Sequence, residues 1–171
     1  MRCSVYIATS ADGFIARKDG GIDWLHAVAQ EGEDYGYQRF FDSVDALVMG
    51  RNTYEVAAGF PAWPYAGKRC VVLSHRPLTP RHGEELWSGA PASLVEKLER
   101  EGLQHLYVDG GQVIRQFLAA GLIHELTLSV IPVLLGDGLP LFAPGGREQR
   151  LELLSSRAWS TGLVQQKYRV G

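Results

Sequence analysis

Apolar residues along this chain fall into short blocks separated by glycine-, proline- or charge-containing stretches. Arg2 to Thr9 alternates, with Cys3, Val5 and Ile7 on one face, and predicts a first strand. Ala46-Leu47-Val48-Met49, Cys70-Val71-Val72-Leu73 and Leu106-Tyr107-Val108 are unbroken apolar runs, the pattern of strands covered on both faces. Leu126 to Val133 predicts another strand and Glu84 to Ser88 a minor one. Leu151 to Ala158 and Leu163 to Val170 predict a terminal antiparallel hairpin through Thr161-Gly162. Helical spacing appears over Glu33 to Ser43, where Tyr37, Phe40 and Phe41 recur, and over Arg51 to Ala58. Two more helices are predicted, Pro91 to Glu101 stopped by Gly102, and Gln112 to Ala120 closed by Gly121. Ser10 to Gly21 and Phe60 to Gly67 read as loops. Buried strands alternating with helices predict an α/β fold, its sheet mostly parallel with an antiparallel C-terminal hairpin.

With 171 residues and neither repeat nor low-complexity linker, the expectation is one domain over residues 1–171. The net charge of −2 is spread without long runs of one sign, which argues against a nucleic-acid partner or a basic membrane patch. No stretch reaches the ~20 apolar residues of a membrane-spanning helix. Ser10-Ala11-Asp12-Gly13 breaks the N-terminal apolar run too early for a signal peptide. Cys3 and Cys70 lie inside apolar blocks without a CxxC, so they read as buried thiols of a cytoplasmic protein. The five histidines show no HxH or HExxH spacing, and no metal is expected.

Candidate chemistry gathers where predicted strands end. Met49-Gly50-Arg51-Asn52-Thr53-Tyr54-Glu55 turns from a strand into a helix, offering free amides, a hydroxyl and a guanidinium to an anion. An ordinary turn with a solvated arginine is the plain alternative. Val108-Asp109-Gly110-Gly111-Gln112-Val113 places two glycines where a pyrophosphate could approach the backbone, although it is not GxGxxG. Leu73-Ser74-His75-Arg76-Pro77 leaves a third strand with a hydroxyl and an arginine. Three such ends along one sheet edge suggest an elongated, phosphate-bearing cofactor.

These segments also carry a resemblance. The chain resembles dihydrofolate-reductase-like proteins, particularly the reductase domain of the bifunctional riboflavin-biosynthesis deaminase–reductase and its stand-alone relatives. The matching pieces are Ser10-Ala11-Asp12-Gly13-Phe14-Ile15-Ala16, the Met49 to Glu55 segment, Val72-Leu73-Ser74, Asp109-Gly110-Gly111, Phe117 to Leu126, and Pro132-Val133-Leu134-Leu135-Gly136-Asp137-Gly138. The resemblance implies a three-layer sandwich around a roughly eight-stranded sheet, and an NADPH cradle. In that cradle Gly50, Arg51 and Thr53 would meet the diphosphate and 2′-phosphate, with Ser74 and Arg76 near the adenosine. Gly110, Gly111, Gln112 and Val113 would hold the pyrophosphate and nicotinamide side, and Ala8 and Ile15 would line the nicotinamide pocket. Two arginines favour NADPH over NADH, because guanidinium groups match a phosphate bidentately.

On the substrate side, Asp12 matches a family aspartate that could orient substrate or deliver a proton, while an Asp-Gly turn residue is the competing reading. Trp24 matches a family tryptophan, and Trp63 and Tyr65 could stack on a flat ring. The acid of true dihydrofolate reductases would fall near Ala29, leaving Glu31, Glu33 or Asp34 as substitutes if the helix shifts. Ala57-Ala58-Gly59-Phe60-Pro61-Ala62-Trp63-Pro64 replaces the Ala-Asp-Asp-Pro-x-Leu stretch of the riboflavin-pathway reductases. The expected activity is hydride transfer from NADPH to a small molecule, a flat heterocycle or a ribosylamino-pyrimidine. Dihydrofolate reduction and a non-catalytic NADPH-binding module are the alternatives. The apolar Pro132 to Phe142 segment adds the expectation of a homodimer.

Overall fold

A computed structural model describes residues 1–171. The strands are β1 (Arg2–Ser10), β2 (Phe14–Ala16), β3 (Ala46–Gly50), β4 (Arg69–Leu73), β5 (Glu85–Trp87), β6 (His105–Asp109), β7 (Glu125–Ile131), β8 (Leu139–Pro140), β9 (Leu151–Ala158) and β10 (Val164–Val170). The helices are α1 (Tyr37–Asp42), α2 (Arg51–Ala58), α3 (Pro91–Arg100) and α4 (Gly111–Ala119). Eight strands form one sheet in the order β5-β4-β3-β6-β1-β7-β10-β9. All neighbours from β5 to β7 pair in parallel, whereas β10 runs antiparallel to both β7 and β9. That is the mostly parallel sheet with a terminal hairpin that the hydrophobic pattern predicts.

The unbroken apolar runs are indeed covered twice. On one face Val5, Ala46, Val48, Val71, Leu106 and Val108 pack against Leu94 and Leu98 of α3 and Ile114 and Phe117 of α4. On the other, Leu47, Met49, Val72 and Tyr107 pack against Phe41 of α1 and Tyr54 and Ala57 of α2. Burying a side chain of this size contributes roughly 1.5–3 kcal/mol, so the two-sided centre is the principal source of stability. Both cysteines belong to it as free thiols, and burial pushes Cys3 up to about 11 and Cys70 to about 12.

Three features differ from expectation. The helix expected from Glu33 to Ser43 is confined to α1. Asp34 accepts N–H bonds from Gly36 and Gln38, each 2.9 Å, and Gly36 takes a left-handed φ of 86°, so a turn occupies the first part. The Ser10 to Gly21 loop contains β2, which pairs antiparallel with the two-residue β8 as a small strap outside the main sheet. Asp23–Val28 forms a 3-10 turn that buries Trp24 and Val28. No helix is long and apolar enough to cross a membrane.

Candidate cofactor and substrate site

The carboxyl ends of β3, β4, β5 and β6 open into a groove of about 480 Å³. Parallel strands put these ends on one edge, where chain leaving the sheet must turn and expose its backbone. After β3 and β6 the chain passes straight into α2 and α4, and neither helix has a side-chain cap on its first turn. First-turn amides lack partners within a helix, so two uncapped N-termini here offer N–H donors and two dipoles to an anion.

The two turns also interlock. Gly110 has a φ of +89°, and a Cβ built on it would lie 2.5 Å from Thr53 Oγ1. Both the dihedral and the space therefore demand glycine there. Gly111 has no such dihedral, but a Cβ on it would meet Ile15 Cδ1 at 2.9 Å. The glycine pair thus lets β6–α4 approach both β3–α2 and the strap.

Of the residues expected at a cofactor, Gly50, Arg51, Thr53, Ser74, Arg76, Gly110, Gly111, Gln112, Val113 and Ile15 all line this groove. The two arginines differ in what they do. Arg51 donates from Nε to Glu55 Oε1 at 2.9 Å and from Nη1 to the carbonyls of Pro77 (2.9 Å) and Arg76 (3.4 Å). It staples the turn after β4. The Ser74 hydroxyl tightens the same turn, accepting from Arg76 N–H and donating to Arg76 O, both at 3.1 Å. Arg76 is exposed and only its backbone is engaged, so its guanidinium remains available to a ligand. Arg115, not singled out in the sequence, also lines the groove, but donates to the carbonyls of Pro140 and Leu141 at 2.8 and 3.1 Å.

A second cavity of about 330 Å³ adjoins the groove and shares Ile15, Asn52, Thr53, Gly110 and Leu139 with it. Ala8 lines this one, as does Tyr65. Tyr6, Tyr37 and Tyr107 complete a phenolic wall. Tyr107 OH donates to Tyr6 O at 3.2 Å and Tyr6 OH to Tyr35 O at 2.7 Å, so the wall is hydrogen-bonded in place. Burial pushes Tyr6 and Tyr37 up to about 12, keeping both phenols neutral.

Asp109 ends β6 immediately before the two glycines, a position to which the local pattern assigns no role. It is the single charged residue lining this cavity. Gly110 N–H donates to its Oδ1 at 2.9 Å and Tyr65 OH to its Oδ2 at 3.3 Å. Desolvation nevertheless raises its pKa, outweighing both bonds. An aspartate ending an apolar strand, just before Gly-Gly, was the available signal.

Four residues expected on the substrate side lie outside both cavities. Trp24 is only 5% exposed and packs with Val28, Ile131 and Leu163, because the 3-10 turn points it into the core, away from both cavities. Asp34 spends its carboxylate on the turn before α1 and lines neither cavity; nor do Glu31 and Glu33. Asp12 accepts from Ser10 Oγ (2.6 Å), Leu135 N–H (3.2 Å) and Gly136 N–H (2.8 Å), which clamps the strap. Those bonds, the serine's foremost, lower its pKa, and it too lies outside both cavities. Trp63 packs on Tyr54, Tyr65 and His82 and lines neither.

Comparison with known proteins gives a consistent picture. The family model of the RibD C-terminal domain matches residues 4–165. The Bacillus subtilis (strain 168) protein YwjB is 38% identical over 157 residues, covering 90% of this chain and 89% of its own. The crystal structure of a Shewanella sp. PV-4 protein, provisionally described as a riboflavin biosynthesis protein, superposes with a TM-score of 0.93 at 36% identity, covering 100% of this chain and 99% of that one. Acinetobacter baumannii RibD gives a TM-score of 0.76 at 18% identity, a likeness of fold in which this chain spans 58% of the longer protein.

Proposed function

The chain belongs to the RibD C-terminal domain family, and from that premise we propose that it is an NADPH-dependent reductase acting on a flat, nitrogen-containing heterocycle such as a pyrimidine. The observation that carries this reading is the continuity of the two cavities. A groove with two uncapped helix N-termini and a free guanidinium suits a dinucleotide. The phenol-walled cavity it opens into suits a ring lying beside the nicotinamide.

When bound, NADPH supplies a hydride to the carbon of a ring or exocyclic C=N and becomes NADP+. The protein's own residues do the rest. The amides of the α2 and α4 first turns and Arg76 would hold the phosphates, while Ile15 and Ala8 would keep water from the reacting ring. Asp109, protonated more readily than an ordinary aspartate, delivers the proton to the nitrogen, so hydride and proton together complete the reduction. Among the alternatives, dihydrofolate reduction finds no support in Glu31, Glu33 or Asp34, none of which lines the cavity.

Coenzyme titrations followed by tryptophan fluorescence test the proposal. The wild-type protein is expected to prefer NADPH to NADH. Arg76→Ala should narrow that preference by about tenfold to a hundredfold, since hydrogen bonds to charged groups contribute about 1.5–3 kcal/mol. Arg51→Ala should weaken both coenzymes alike, because Arg51 supports the turn. A wild-type preference for NADH, or binding without any NADPH oxidation across a pyrimidine and pteridine panel, would overturn the assignment.

A further inference from the structure

The groove and the adjoining cavity have opposite charge characters. Arg51, Arg76, Arg115 and His75 all line the groove. No lysine, arginine or histidine lines the cavity, whose one charged group is the Asp109 carboxyl. An ionised carboxyl repels a phosphate, and a protonated one offers a single hydrogen bond with no compensating positive charge. Exposed residues of its lining such as Val56 and Phe60 are apolar as well.

Of the cations that follow these residues in the chain, Arg17, Lys18 and Lys68 are already engaged, while His26 and Arg39 lie outside the cavity lining. Arg17 holds Asp23 through two bonds of 2.7 and 3.2 Å, and Lys18 pairs with Asp137. Lys68, near the Phe41 side of the core, donates to Val44 O and sits over the Phe41 ring. Freeing one of them for a phosphate would break an existing pair, and moving a phosphate into an apolar cavity without a cation is unfavourable.

We infer that the cavity takes a neutral aromatic heterocycle whose substituent carries no phosphate, so that phosphate recognition in this chain is confined to the coenzyme groove. The inference rests on the reductase reading above and sharpens it to a substrate class. Recognition then falls to ring stacking on the phenolic wall and to hydrogen bonding of the ring edge with Asp109.

A ribityllumazine and its ribityl phosphate ester, both fluorescent and identical in the ring, are the probes. NADPH and NADP+ are titrated first, alone. Failure to bind them overturns the reductase reading; the probe comparison on the NADP+-loaded protein then tests only the substrate inference. The unphosphorylated compound is expected to bind at least as tightly as the ester. One charge-assisted contact would favour the ester by about tenfold, so a preference for it beyond about twofold overturns the inference. Binding of neither compound to the loaded protein also overturns it. Phe60 lines the cavity and is 45% exposed, so Phe60→Arg supplies the missing cation without disturbing the core. That variant should tighten the ester by about tenfold relative to the parent compound. An ester indifferent to the new arginine overturns the inference as well.

Discussion

Asp109 experiences two opposed influences. The Gly110 amide and the Tyr65 hydroxyl favour its carboxylate, while desolvation at the end of an apolar strand favours the acid and prevails. If it is the proton donor, kcat should fall as pH rises through its elevated pKa, because the protonated fraction disappears. Asp109→Asn should lower kcat by about a hundredfold to ten-thousandfold and remove that limb of the profile, with coenzyme affinity retained. Stability provides the internal control. A carboxyl whose folded pKa is raised stabilises the fold below its unfolded pKa, and this contribution is lost as pH rises through the folded value. The asparagine variant should therefore melt no lower than wild type at neutral pH by circular dichroism. An unchanged pH–rate profile in a folded variant would remove Asp109 from the chemistry. Its place in the Asp-Gly-Gly motif was legible in the sequence, but its burial depends on Tyr65, 44 positions away.

Among the elements, the strap of β2 and β8 contributes most to the site for its size. Its residues Ile15 and Leu139 line both cavities, so it closes over the junction between them. Asp12 ties the strap's first arm to the Leu135–Gly136 turn, and Leu141 N–H donates to Gly13 O at 3.1 Å. Asp12→Ala should loosen this closure, raising the NADPH dissociation constant by roughly tenfold with a smaller loss in melting temperature. A coenzyme affinity equal to wild type in stopped-flow binding would show that the clamp does not govern the site. The sequence marked Ser10 to Gly21 as a loop because a three-residue strand gives no periodicity to detect. The Asp12 match to the family was visible, whereas its role needed the partner turn, more than 120 residues away.

For the whole molecule, the outer strands of the sheet raise the question of assembly. Leu151 and Leu153 pair with Val170 and Tyr168, placing them on the same face as Val164. The opposite face carries Glu152 and Arg169. Leu151 and Leu153 are 46% and 55% exposed, and α4 packs over β6 and β3 instead. Leu134 and Phe142, within the apolar Pro132 to Phe142 segment, are exposed too. We propose that these surfaces are covered in a homodimer. Sedimentation velocity should show a wild-type dimer and a Leu153→Lys monomer, since a lysine on each copy would face an apolar partner. A wild-type monomer at micromolar concentration would end the proposal.

What the sequence determined by itself is local and periodic. Runs such as Ala46 to Met49 are too apolar to face water on either side, so strand, two-sided burial and α/β class follow from hydrophobicity alone. The glycine and arginine turns after β3, β4 and β6 were recognisable for the same reason, because parallel strands align their carboxyl ends. Tertiary structure decided which polar groups remain available once neighbours have been satisfied. Arg51 and Arg76 look alike in the sequence, yet one is bound to Glu55 and two carbonyls and the other is free. Trp24 fits the family position, yet the 3-10 turn buries it. Availability depends on the hydrogen-bond partners and solvent that residues distant in sequence supply, and no local pattern records these.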